Sequence, residues 1–490
     1  SVVSVQGGGG EMESGLIDSR TQSANPDAGA DLLEVPWADR RTFFVDLAAT
    51  TTIGCVMGAL SYPYSLVTDK VHEWWLEKTG PPDLWEDVAN MCFRGGSTQW
   101  VLVAWLCCTA VGVLKALMRL EKYPSFITEC KRQHVDPWLS AKVLVGCIAS
   151  LCAGGTLGLE AGLGTTGAAV GHLSAAALVR GFPGLEADAA AADLRRRTYI
   201  LSGIAAGFGA ILPSPFIAVL LIGEAATQGV EREHPASAGE FMTGRRLPKR
   251  VLVFLVPAAT FSFVVRYAMD PTPLTTNLGA QRPYDNWSAL YAIPLGFVAA
   301  LVGLAFLIAQ GLTKKLVEGL GSRIERVGGK AVRQVALASI AGVVTGLGIY
   351  LFPLAYSSGR SAMPLTIKHR ANLSTETLVG TAVVKCLTFW VGMHCGLVGG
   401  LFFPLMYIGL VTGEVSSRAF GLDPVVCIPL MVGAVPASFV TAPVTMLALP
   451  VGMFVMGPLN AIPIFVATVT SNTLLVGTGL LGKMMARRSS

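Results

Sequence analysis

The chain has 490 residues, 52% of them hydrophobic and only 14% charged, with a formal net charge of +5. A soluble protein carries about 25% charged residues, so this composition excludes an ordinary water-soluble globular chain and calls for many membrane spans. The basic residues lie in short clusters between apolar runs, a pattern that does not suggest nucleic acid as a partner.

Residues 1–38 are Gly-, Ser- and acid-containing with little periodicity, and are expected to form a disordered tail. Arg40 and Arg41 precede a first apolar segment over 43–67. The stretch after it carries Trp74, Trp75 and Trp85 and is expected at the membrane interface. Residues 100–118 form a second apolar segment, with Lys115 and Arg119 at its end. The polar stretch 123–136 holds Pro124-Ser125-Phe126-Ile127-Thr128-Glu129. Ser125 fits a helix N-cap, and Glu129 lies one residue too far along for a regular capping box.

Residues 138–157 are the next apolar helix and lead into the stretch that organises the chain. Between Lys142 and Arg180, Glu160 is the one Asp, Glu, Lys or Arg. A carboxylate at the centre of a membrane helix costs roughly 2.5–3.5 kcal/mol on insertion scales, so its presence asks for a function. Gly154, Gly155, Gly158, Gly162 and Gly164 surround it. They allow the backbone to bend and other groups to approach. A broken helix whose amide ends face a buried site is the structure this suggests, and such ends hold anions without a full positive charge.

A polar, Ala-rich loop is expected up to Arg195-Arg196-Arg197. Next come residues 203–215, rich in Gly and Ala and ending in Pro215, then an apolar helix to Glu224. A basic loop over 245–250 separates this from an apolar segment over 251–265. Spans are expected over 285–309 and 335–354, with a polar amphipathic link over 314–333, and Ser357-Ser358-Gly359 follow. Residues 378–391 lead into Gly399-Gly400-Leu401-Phe402-Phe403-Pro404. Residues 287–313 and 424–482 contain no Asp, Glu, Lys or Arg. Each exceeds the ~20 residues of a spanning helix, and continuous apolarity favours helices over a barrel. Lys483, Arg487 and Arg488 form a short basic tail on the cytoplasmic or equivalent side. The ten cysteines form no CxxC pair and mostly sit in apolar segments, as small packing residues.

The halves echo each other. The stretch 203–215 followed by nine residues to Glu224 has a partner in 433–443 followed by nine residues to Gly452, and the break at Glu160 has a partner at 399–404. Matching broken helices in two halves are the signature of an inverted-repeat transporter. The chain therefore divides into a tail over 1–38, a first half of the membrane domain over 39–270, a second half over 271–482 and a basic tail over 483–490.

These residues resemble the CLC family of chloride channels and chloride/proton exchangers. The stretch from Gly154 to Gly162 around Glu160 is similar to the family's Gly-Arg/Lys-Glu-Gly-Pro motif. Gly399 to Pro404 is similar to its Gly-Gly-x-Phe-x-Pro motif, and Tyr356 to Gly359 resembles its Ser-Gly-Gly link. The resemblance implies an all-α polytopic membrane protein of CLC-type inverted-repeat fold, with broken, re-entrant helices, expected to form a homodimer with one anion pathway per subunit. It implies that Glu160 is the gating glutamate and that Ser125 and the amides of Leu401, Phe402 and Phe403 bind the anion, and it makes Glu224 the candidate residue of a proton pathway. The partners implied are chloride or another small anion and the lipid bilayer, with no cofactor and no enzymatic activity.

The departures are specific. Leu159 stands where the family has a basic residue, and Ala161-Gly162 replace Gly-Pro. Pro124, Phe126 and Thr128 replace the glycines and proline around Ser125, which leaves selectivity between chloride and nitrate open. The exchangers' internal proton glutamate falls on Ala225, and no counterpart of the inner-gate tyrosine is recognised near the C-terminus. Passive, voltage-gated chloride conduction gated by Glu160 is therefore the first expectation. The alternatives are chloride/proton exchange and a transport-dead membrane scaffold. A prokaryotic or organellar membrane, such as a plastid's, fits the pattern.

Overall fold

A computed structural model describes residues 40–121, 123–181, 189–227, 251–271, 278, 285–440 and 442–479. The expected tails over 1–38 and 483–490 and the basic loop over 245–250 lie outside these residues. The described chain is helical: α1 (Arg40–Thr79), α2 (Gln99–Met118), α3 (Phe126–Arg132), α4 (Pro137–Cys152), α5 (Glu160–Gly181), α6 (Ala189–Gly209), α7 (Pro215–Thr227), α8 (Val251–Met269), α9 (Asn286–Leu351), α10 (Ala362–His369), α11 (Thr375–His394), α12 (Phe402–Phe420), α13 (Pro424–Ala437), α14 (Pro443–Met453) and α15 (Ala461–Asn472). Six of them are long and apolar enough to cross a membrane: α1, α2, α5, α8, α9 and α11. α4, α7, α13, α14 and α15 are apolar but shorter.

Three expectations change. The segment before Tyr199 is helix, not loop: Ala189 to Arg197 belong to α6. Alanine is the strongest helix former, and the helix places Arg195 and Tyr199 on one face. There the Arg195 Nε and the Tyr199 hydroxyl both donate to Asp46 Oδ1 of α1, at 2.8 and 2.6 Å, in a buried cluster. The amphipathic link over 314–333 is helical too, so α9 runs through it and breaks only at Gly329, which has φ 77°. α1 continues past residue 67 to Thr79, which carries Trp75 inward. The Trp75 indole donates to Cys152 O at the end of α4, while Trp74 stays exposed.

The internal echo is realised in backbone geometry. α4 and α11 each end on a residue of nearly equal dihedrals, Ala153 (φ −76°, ψ 0°) and Cys395 (φ −77°, ψ 0°). Each is followed by a glycine with positive φ, Gly154 at 91° and Gly396 at 94°. Only glycine takes this conformation without steric cost, and it ends the helix. The next amides fold back in the same way, Gly155 N to Ser150 O and Leu397 N to Gly392 O, both at 2.9 Å. The chain then re-enters a helix at Glu160 in one half and Phe402 in the other, 242 positions apart. A second pair of breaks separates α6 from α7 and α13 from α14, and Pro215 and Pro443 open the new helices. Proline suits a first helical turn because the missing N–H has no acceptor there.

Candidate functional site

The two matching breaks meet. Gly158 N donates to Gly400 O at 2.7 Å and Gly400 N to Gly158 O at 2.8 Å, an isolated antiparallel bridge between the halves. Gly158 and Gly400 are equivalent positions of the repeat, so the pair lies on the axis relating the halves. The bridge brings the start of α5 against the start of α12. α12 has no side-chain cap of its own, which leaves its first amides open. Glu160 fills that role from the other half: its Oε1 accepts from Phe402 N at 2.5 Å and from Phe403 N at 3.1 Å.

The seat is tight. Glu160 is only 1% exposed. A Cβ on Gly158 would lie 1.7 Å from Glu160 Oε2, and one on Gly400 2.5 Å away. Both glycines are thus required by the space the carboxylate fills. Oε2 nevertheless has no hydrogen-bond partner among the described residues. Two helix N-termini, those of α5 and α12, place partial positive charge on the carboxylate. That charge and two backbone donors make a half-satisfied anion seat with no cationic side chain in contact among the described residues.

Beside the seat lies a cavity of about 150 Å³ lined by Leu401 and Phe402, by Ile127 of α3, by Leu221 and Ala225 of α7, and by Phe439, Val440 and Ala442 of the break before α14. It borders three of the broken elements, and no charged side chain is among its lining residues. Of the expected site residues, Glu160, Leu401, Phe402 and Phe403 come together here. Ser125 and Glu224 sit elsewhere. The Ser125 hydroxyl caps α3, accepting from Thr128 N at 3.3 Å and pairing with Thr128 Oγ1 at 3.0 Å, and the residue is exposed. Its neighbour Ile127 faces the cavity instead. Glu224 reaches α14, which likewise lacks a side-chain cap. Its Oε1 accepts from Val444 N at 3.0 Å, and its Oε2 from Thr445 N at 2.8 Å and Thr445 Oγ1 at 2.6 Å.

Sequence reasoning passed over three buried side chains. The Tyr64 hydroxyl of α1 donates to Leu159 O at 3.2 Å and packs on Gly162, where a Cβ would meet it at 2.5 Å. Lys385 of α11 is fully buried, with Nζ bonded to the carbonyls of Ala355, Tyr356 and Ser357 at 3.0–3.2 Å and set over the Tyr407 ring at 4.6 Å. Lys115 of α2 is 5% exposed and donates to Gly396 O. A lysine inside an apolar helix was the available signal for both. Lys115 had passed for a flanking charge.

Fold and site together define a polytopic membrane protein of the inverted-repeat type, with an anion seat where its broken helices meet. The chain belongs to the voltage gated chloride channel family, whose model matches residues 100–475. Three solved structures share its fold. A slow cyanobacterial Cl⁻/H⁺ antiporter is 17% identical with a TM-score of 0.66, the match covering 91% of this chain and 99% of that one. A CLC-type fluoride/proton antiporter is 15% identical with a TM-score of 0.63, covering 89% and 97%. A eukaryotic CLC transporter is 15% identical with a TM-score of 0.63, covering 88% and 72%.

Proposed function

We propose that this protein conducts chloride passively across a membrane and that the Glu160 side chain is its gate. The observation that carries this reading is the carboxylate seated on the amides of Phe402 and Phe403 with one oxygen unpartnered. A carboxylate is itself an anion, so it occupies the place where a dehydrated chloride would bind. Protonation removes its charge and weakens its hold on the two amides, which frees them for the anion. Backbone dipoles attract chloride without the deep well a lysine or arginine in direct contact would make, which suits conduction.

Passive flow is favoured over coupled flow by the inner cavity. Coupled proton movement through the apolar core needs a titratable relay, yet Ala225 lines that cavity and Glu224 is engaged by α14. The cavity's lining holds no nucleophile and no base, which favours transport over catalysis. Chloride is the substrate in this reading, no cofactor is called for, and the working form is a homodimer in the bilayer with one pathway per subunit. Ser125 acts in it chiefly as the cap of α3, which presents Ile127 to the pathway. Exchange of anion for protons is the second reading, because two of the structures that share this fold are proton-coupled antiporters.

Simultaneous chloride and proton flux from liposomes carrying the purified protein separates the two. Chloride efflux without linked proton movement is the expected result. Protons driven uphill by a chloride gradient would establish exchange instead. No flux of any small anion would leave the fold standing and remove the function.

A further inference from the structure

Glycine leaves the start of α5 free to move, and a side chain from another helix takes that freedom away. Gly158, Gly162 and Gly164 surround Glu160, and glycine constrains the backbone least of all residues. A gate carried on so loose a turn would not set its carboxylate on the same two amides each time. The bridge to Gly400 fixes the chain at Gly158, two residues before Glu160. The turn that follows needs a hold of its own.

Tyr64 of α1 supplies it. The residue is buried, and α1 packs on both α4 and α5. Its hydroxyl donates to Leu159 O at 3.2 Å and pairs with Cys147 Sγ of α4 at 3.0 Å. Leu159 O also accepts from Leu163 N at 3.2 Å, in the opening turn of α5. The carbonyl of Leu159 and the N–H of Glu160 belong to one planar peptide group. A hydrogen bond on that carbonyl therefore sets the tilt of the plane from which the Glu160 side chain leaves the backbone. The same hydroxyl lies against Gly162, where a Cβ would come 2.5 Å from its oxygen. Gly162 is thus the space into which the hydroxyl fits, and one side chain meets the backbone on both sides of Glu160. The titratable groups facing the hydroxyl are Cys147 of α4, Glu160 of α5 and Asp69 of α1.

We propose that Tyr64 is the positioning residue of the Glu160 gate. By holding the Leu159 carbonyl and filling the space beside Gly162, it keeps the carboxylate on the amides of Phe402 and Phe403 until protonation releases it. It acts through the backbone, since its hydroxyl bonds Leu159 O and Cys147 and not the carboxylate. Without that hydroxyl the first turn of α5 tilts, the carboxylate meets its two amides less well, and chloride displaces it more readily. A loosely seated carboxylate is also released at a lower proton concentration. The proposal rests on the gating reading above and extends it to a helix outside the two glycine motifs.

Chloride efflux across a pH series, from liposomes carrying the full chain, tests it in four proteins: wild type, Tyr64→Phe, Gly162→Ala and Glu160→Gln. Phenylalanine keeps the ring and removes the hydroxyl. Alanine at 162 keeps the tyrosine and pushes its hydroxyl off Leu159 O, although by helix propensity alone it would firm the turn. Both variants should raise efflux at neutral pH about threefold and move the midpoint of acid activation up by about half a pH unit, the effect of one net hydrogen bond. A tyrosine that only packs α1 on α5 would lower the melting temperature and leave the midpoint in place. A wild-type midpoint in Tyr64→Phe would therefore overturn the proposal, and the midpoint of Gly162→Ala decides in the same way if Tyr64→Phe fails to fold. High efflux from Glu160→Gln beside an unshifted Tyr64→Phe removes this proposal alone. Equal efflux from wild type and Glu160→Gln at every pH would remove the gating reading itself, and this proposal with it.

Discussion

Two carboxylates, Glu160 and Glu224, do the same local job in this molecule and differ in what is left over. Each sits in the first half, and each caps a helix of the second half that has no cap of its own, α12 for Glu160 and α14 for Glu224. Glu224 is saturated. Both its oxygens are bonded, one of them also to the Thr445 hydroxyl, and the residue is only half-buried. Glu160 is buried, its Oε1 is held by the amides of Phe402 and Phe403, and its Oε2 has no hydrogen-bond partner among the described residues. A saturated cap is a clamp, because leaving it strands several donors at once. A half-satisfied cap can be exchanged for another anion at small net cost. In the proposed function, this difference is what distinguishes Glu160 as the gate from Glu224 as a structural cap.

Removing the charge of Glu160 should have the largest effect. Hydrogen bonds to a charged group are worth about 1.5–3 kcal/mol each, so Glu160→Gln should empty the seat and raise chloride efflux at neutral pH about tenfold or more. Wild-type efflux should rise on acidification, because protonation does what the substitution does, and the variant should lose that dependence. Efflux measured across a pH series in liposomes checks both, and equal rates for wild type and variant would erase the contrast between the two carboxylates.

Glu224→Gln should act on stability rather than on flux. It weakens the cap of α14 by about 1–2 kcal/mol, seen as a lower melting temperature, with chloride selectivity and gating retained. A gain of efflux like that of Glu160→Gln would mean that Glu224 also plugs a pathway. Ser125→Ala should be the mildest change, a cap loss of about 1 kcal/mol on the short helix α3. Chloride-over-nitrate preference, read from paired efflux assays, should stay unchanged. A shift in that preference would return Ser125 to the list of anion ligands.

Much of the site was legible in the residues. Glu160 was visible as a lone carboxylate in an apolar run, and its glycines pointed to a broken helix. The start of α12 was visible from Gly399 to Pro404. Ser125 was legible as a cap, because an N-cap is decided within four residues. The stretch before Tyr199 was misread as a polar loop, because the contact that draws its charge inward lies far along the chain. The partner that draws Arg195 inward is Asp46, 149 positions earlier in the chain. Lys385 and Lys115 were passed over for a similar reason: what satisfies a lysine, or fails to, is supplied by carbonyls far away along the chain.

Sequence alone determined that the chain crosses a membrane, that its helices break at glycine and proline, and that the breaks come in two matching sets. These follow from local quantities: hydropathy over about 20 residues, the positive φ that glycine permits, and the N–H that proline lacks. Tertiary structure decided that Gly158 meets Gly400, that Glu160 lands on the amides of Phe402 and Phe403, and that Glu224 is taken up by α14. Open helix ends are sites looking for partners, and many carboxylates could meet that need. Which carboxylate reaches which helix is settled only when the two halves pack, because the contact lies 242 residues away in one case and 221 in the other.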